Sequence, residues 1–160
     1  MTDVPRLSRI PWPPLIFVAA ALAGLQLGAL LPVAWWPADR LVRAFGVAMI
    51  ATGLGIDAWA IGTMLRRRAN ILPNRPATAL VTGWPFRWSR NPIYLGNTIV
   101  VSGFAFAFAN PWFIPCALTA AIAVRQVAIR QEEAHLAALF GAKWDAYSAR
   151  THRWLGRRAG

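Results

Sequence analysis

Two short polar clusters hold the residue types that could do chemistry. One is Arg87-Trp88-Ser89-Arg90-Asn91-Pro92-Ile93-Tyr94, and the other is Glu132-Glu133. A guanidinium such as that of Arg90 binds a carboxylate or phosphate through paired N–H donors. Carboxylates such as Glu132 and Glu133 hold cations or accept a proton as general bases. Together they could orient a charged substrate and manage its proton. His135, His152 and the single Cys116 lack metal-ligand spacing, so no metal is expected.

Structural readings compete with this one. An interfacial arginine often only extends its head to the lipid headgroups. The glutamates could be solvated, or paired with Arg125 or Arg130 along one helix face. Spacing favours a site. Arg90 and Asn110 are 20 positions apart, and Asn110 and Glu132 are 22. As helices, each arm spans roughly 30 Å at about 1.5 Å per residue. A turn at Asn110-Pro111 therefore returns Arg90, Glu132 and Glu133 to the same end of a hairpin.

The elements that position these clusters are apolar. Of the 160 residues, 57% are hydrophobic and only 14% charged, which argues against a soluble enzyme and against disorder. One cysteine excludes an intrachain disulfide framework. Runs over 15–31, 41–65, 93–109 and 112–129 approach membrane-spanning length. The first follows Arg6 and Arg9 like a signal peptide, but Pro32 stands where a small cleavage-site residue belongs, so an uncleaved span is expected. The expected fold is one all-α integral membrane domain over 1–160. It has four transmembrane helices, a C-terminal helical hairpin, a cytoplasmic loop over 66–92 and a cytoplasmic tail over 130–160. In that tail Ile129, Leu136, Leu139, Phe140, Trp144 and Tyr147 recur at helical spacing, which predicts an amphipathic helix along the membrane surface.

The net charge of +11 comes from 17 Lys+Arg against 6 Asp+Glu. Only Arg40 and Arg43 fall near an outer loop, and the other basic residues fall on the opposite side. That is the positive-inside pattern, with both termini cytoplasmic. It accounts for the charge without nucleic acid, and with no organelle signal the expected location is a bacterial inner membrane.

Other residues have blander expectations. Asp57, inside the second run, is expected to pair with a polar group such as Asn97 or to line a substrate path. His135 and His152 read as solvated. Gly24, Gly28, Gly53 and Gly55 read as sites of close helix packing.

The ordered set Leu80-Val81, Pro85-Phe86-Arg87, Arg90-Asn91-Pro92, Tyr94-Leu95-Gly96, Asn110-Pro111, then Glu132-Glu133, Leu136, Phe140-Gly141, Trp144 and Tyr147 resembles the isoprenylcysteine carboxyl methyltransferase family. The related phospholipid N-methyltransferases are similar in their C-terminal hairpin. The resemblance covers about residues 76 to 154, and the first two runs match only as generic apolar helices. It implies S-adenosylmethionine held at the cytoplasmic end of the helices. By position, the cofactor-contacting residues are Leu80, Val81, Phe86, Asn91, Pro92, Ile93, Tyr94 and Glu132. Arg90 is implied as the anchor for an acidic substrate group.

Glu133 is the nearest base for an amine acceptor. The implied partners are a lipophilic or lipid substrate and the membrane lipids; the oligomeric state is left open. This chain departs from the family pattern at Asn91, where many members have His, and at Phe86, where Tyr is usual. Two alternatives stand beside a methyltransferase: an NADPH-dependent membrane reductase of sterol-reductase type, and a non-catalytic scaffold of the same fold.

Overall fold

The computed structural model describes residues 12–71 and 77–156. Arg6, Arg9 and Arg75, and the tail beyond Gly156, all counted in the charge argument, lie outside them. The described residues form α1 (Trp12–Leu30), α2 (Arg40–Arg66), α3 (Pro92–Ala107), α4 (Phe113–Val124), one π turn (Arg125–Ile129), α5 (Arg130–Phe140) and α6 (Ala142–Arg150). The protein is an all-α integral membrane protein.

Among the described residues, three helices are long and apolar enough to cross a membrane: α1, α2 and the continuous helix Phe113–Phe140. The fourth expected span is shorter than the 93–109 run. α3 has 16 residues, about 24 Å at 1.5 Å per residue, against a hydrocarbon core of about 30 Å. Phe108 caps it, and Ala109 at φ 51° turns the chain out of helical geometry. The last run is longer than expected. It passes Ile129 without a break, because the π turn carries it straight into α5. Gly141, at φ 47°, supplies the bend before α6, a conformation that costs glycine little.

Helix starts follow local chemistry. α1 begins at Trp12, ahead of the expected Leu15, with Pro13 and Pro14 in its first turn, where no intrahelical N–H is required. The Asp39 carboxylate caps α2, accepting from the Leu41 and Val42 N–H groups at 2.9 and 3.0 Å. Arg43 then staples two helix ends, donating to Ala38 O at 2.9 Å and to Ala107 O at 3.3 Å.

α1 packs chiefly on α4, α4 on α3 and α3 on α2, while α1 and α2 do not meet. The α2–α3 contact is the most extensive and is backbone against backbone. Gly46 and Gly53 on α2, and Gly96 and Gly103 on α3, recur at seven-residue spacing and so share a face. A Cβ at Gly53 would lie 2.6 Å from Gly96 O, and one at Gly103 would lie 2.9 Å from the Ile50 side chain. Small residues let membrane helices approach this closely. The expectation for Gly24, Gly28 and Gly53 holds: the first two face Phe113 and Asn110. Gly55 is a correction, with nothing within 4 Å.

The predicted turn at Asn110-Pro111 is present. Asn110 Nδ2 donates to Gly24 O at 2.8 Å, and Asn110 Oδ1 accepts from the Trp112 N–H at 3.2 Å. Trp112 Nε1 donates to Leu31 O at 2.8 Å, tying the hairpin to α1. The expected Asp57–Asn97 pair is absent. Asn97 spends its amide on Ile93 O at 2.8 Å. Asp57 packs its Oδ1 into the space left by Gly96, with no hydrogen-bond partner among the described residues.

Candidate active site

The two hairpin arms return to one end as their lengths require. Tyr94, in the first turn of α3, donates its hydroxyl to Glu132 Oε1 at 2.5 Å. Arg90 Nη2 lies 3.4 Å from Glu133 Oε1, with both side chains largely buried. The π turn over Arg125–Ile129 adds a residue to the helical register immediately before these carboxylates. Arg125 and Arg130 are exposed and pair with neither glutamate, so the reading of a helix-face ion pair is overturned.

A third partner comes from the C-terminal segment. Arg153 holds Glu133 bidentately, Nε to Oε1 at 2.9 Å and Nη2 to Oε2 at 2.5 Å. The carboxylate bound to it raises the Arg153 guanidinium above its ordinary value, so it stays charged. Residues 151–156 lie against the segment before α3. The Arg90 N–H donates to His152 O at 3.0 Å, and Asn91 Nδ2 donates to Arg153 O at 3.0 Å. The Gly156 N–H donates to Trp88 O at 2.9 Å. From α6, the Tyr147 hydroxyl donates to Phe86 O at 2.7 Å. Burial raises that hydroxyl above its usual range, partly opposed by Arg90, and keeps it a proton donor. The Arg90 guanidinium sits over the Trp144 ring, 5.6 Å from its centroid.

Of these groups Arg90, Asn91, Tyr94, Glu132, Glu133, Trp144 and Tyr147 wall one cavity, about 930 Å³ of empty space counted with its open mouth. All ten candidates from the sequence line it: Leu80, Val81, Phe86, Arg90, Asn91, Pro92, Ile93, Tyr94, Glu132 and Glu133. Met64, Ala69 and Asn70 close it at the end of α2, and Leu136, Trp144 and Tyr147 close it from α5 and α6. The wall is mainly apolar, with its charge gathered at Arg90, Glu132 and Glu133.

Sequence reasoning missed two residues here. His135 is not solvated: it is buried and lines the cavity. Its place three residues after Glu132 puts it on the same helix face, a signal the sequence does carry. Arg153 stood among other basic residues and offered no such signal. His152 is exposed, as expected.

A family model described as phospholipid methyltransferase matches residues 41–143. The chain belongs to the phospholipid methyltransferase family. No curated protein and no solved structure matches it. The match takes in α2, which had read only as a generic apolar helix, and ends at Lys143, before Trp144, Tyr147 and Arg153. Membership in the phospholipid methyltransferase family supports a membrane enzyme that transfers a methyl group, and nothing in the comparisons supports a reductase. It also fits a lipid substrate.

Proposed function

We propose that the chain transfers a methyl group from S-adenosylmethionine to a lipophilic acceptor at the cytoplasmic face of a membrane. The observation that carries this is the convergence of Tyr94–Glu132 and Arg90–Glu133 on the wall of one largely apolar cavity at the end of the arms opposite the Asn110-Pro111 turn. Membership in a methyltransferase family supports the reaction class.

The cavity fits the cofactor chemically. Leu80, Val81, Phe86, Ile93 and Leu136 offer apolar surface for an adenine and a thioether chain. Glu132 accepts one hydrogen bond among the described residues, from Tyr94, and would hold the cofactor's ammonium. The bound cofactor supplies an electrophilic methyl on a positively charged sulfur.

The protein's own residues do the positioning. Arg90 holds an acidic group of the acceptor, carboxylate or phosphate, and Trp144 fixes the guanidinium from below. A carboxylate acceptor is ionised at neutral pH and needs no base. For an amine acceptor Glu133 was the nearest base by sequence. Both its oxygens already accept from guanidinium N–H groups, so its place is to hold cations. The apolar wall excludes water from around the reacting charges.

The topology follows from the charges. With α3 as a fourth, short span, the cavity, both termini and fifteen of the 17 Lys+Arg share the cytoplasmic side. A bacterial inner membrane fits this arrangement. The acceptor reaches the cavity laterally from the lipid.

Calorimetric titration of the detergent-solubilised protein with S-adenosylhomocysteine, with NADPH as the control, tests the proposal. Micromolar binding of the former alone is expected. Binding of NADPH alone replaces the reading with a reductase, and binding of neither by folded protein replaces it with a scaffold.

A further inference from the structure

Glu133 is shared unequally. Arg153 takes both its oxygens in a bidentate pair, while Arg90 approaches one oxygen at the longer distance of 3.4 Å. Bidentate pairing is the stronger geometry and fixes the plane of the carboxylate. Of the two guanidiniums on this carboxylate, the one at the longer distance belongs to the arginine that lines the cavity. Arg153 does not line it. The segment carrying Arg153 is anchored to the Arg90 region by main-chain contacts from His152 O, Arg153 O and Gly156 N.

From this geometry we propose that Arg153 is a positioning residue. It fixes the plane of Glu133, and the carboxylate so held locates the Arg90 guanidinium over Trp144, where it meets an anionic group of the acceptor. The proposal rests on the methyltransferase reading for its substrate, but the clasp itself does not. Without Arg153, Glu133 loses its fixed plane and closes onto Arg90, drawing the guanidinium away from Trp144. The segment over 151–156 then loses its only side-chain ion pair among the described residues.

The test compares the full-length chain with Arg153→Gln and Arg153→Lys in detergent. Methyl transfer is measured with radiolabelled S-adenosylmethionine and vesicles containing phosphatidylethanolamine. Deuterium uptake is followed in peptides covering residues 86–92. Arg153→Gln is expected to raise the KM for the phospholipid about tenfold or more, with kcat and S-adenosylhomocysteine affinity changed much less. Uptake over 86–92 rises. Arg153→Lys, which keeps the charge and loses the bidentate fork, falls between the two.

A purely structural role lowers melting temperature, kcat and cofactor affinity together, and that result overturns the proposal. So does an Arg153→Gln variant with unchanged KM and uptake. Should Arg153→Gln fail to fold, the KM and uptake of Arg153→Lys decide. If the wild-type chain transfers no methyl, the methyltransferase reading fails, and the uptake comparison alone decides the clasp: a rise upholds it and no change overturns it.

Discussion

The two ends of α3 are held by opposite means. Along its length α3 meets α2 through glycines, with backbone against backbone and no charge involved apart from Asp57. At its N-terminal end it is held by a phenol–carboxylate bond and a carboxylate clamped between two guanidiniums. Glycine packing is unforgiving of volume but indifferent to acidity and salt. The polar end tolerates changes of volume at its open cavity and depends on every charge having its partner. Stability and activity should therefore be separable by mutation in this chain, each written into a different part of the same helix.

The largest effect should come from the polar end. Arg90→Gln is expected to lower kcat/KM for methyl transfer to phospholipid vesicles about a hundredfold, the scale of lost positioning. Its melting temperature should fall less than that of a glycine-face variant, because Glu133 keeps its bidentate partner Arg153. A large drop in melting temperature would mean that the polar end holds the fold, and the contrast would collapse. Next comes the packed face. Gly53→Ala places a Cβ 2.6 Å from Gly96 O, an overpacking cost of roughly 1–3 kcal/mol. Thermal unfolding in detergent should show it, with cofactor affinity preserved in the variant that remains folded.

Glu132→Gln keeps the shape and removes the charge. It should weaken S-adenosylhomocysteine binding by about tenfold, the value of a hydrogen bond to a charged group. Unchanged affinity in calorimetry would move the cofactor's ammonium away from Glu132. The smallest effect sharpens the comparison on a single helix. Gly55→Ala, two residues from Gly53, meets nothing within 4 Å. It should stabilise α2 by about 0.5–1 kcal/mol through helix propensity, the opposite sign to Gly53→Ala in the same melting experiment.

Much of this arrangement was legible in the sequence. Equal arms about Asn110-Pro111 bring Arg90 to Glu133 and Tyr94 to Glu132, because helix rise per residue converts spacing into distance. Leu80, Val81 and Phe86, in the loop before α3, are implied by the family resemblance and not by spacing, and they line the same cavity. What stayed hidden depended on register or on distant chain segments. The face of α2 that meets α3 is set by Gly46 and Gly53, and only the matching seven-residue spacing of Gly96 and Gly103 reveals it. Apolar composition alone could not tell Gly53 from Gly55. Asp57 and Asn97 had complementary chemistry, yet Asn97 turns to its own helix at Ile93 O. Arg153 lies sixty-three residues from Arg90, and nothing in a basic tail marks which cation folds back. The helix continues past Ile129, as the spacing of the tail residues predicts, but the π turn that carries it there leaves no mark in hydropathy.

That π turn carries a consequence for how this chain can vary. An α-helix rotates about 100° per residue, and a π turn is a single extra residue absorbed locally. Removing one residue from Arg125–Ile129 would let the helix revert to regular α geometry, leaving the Phe113, Ala117, Ala120 and Val124 stripe on its neighbours while resetting the phase of everything beyond. The turn works as a phase joint. Upstream, the helix answers to the membrane and to its packing partners; downstream, Glu132 and Glu133 answer to Tyr94 and Arg90. The two halves of one continuous helix can therefore be tuned independently, each keeping its own orientation while the other's sequence drifts.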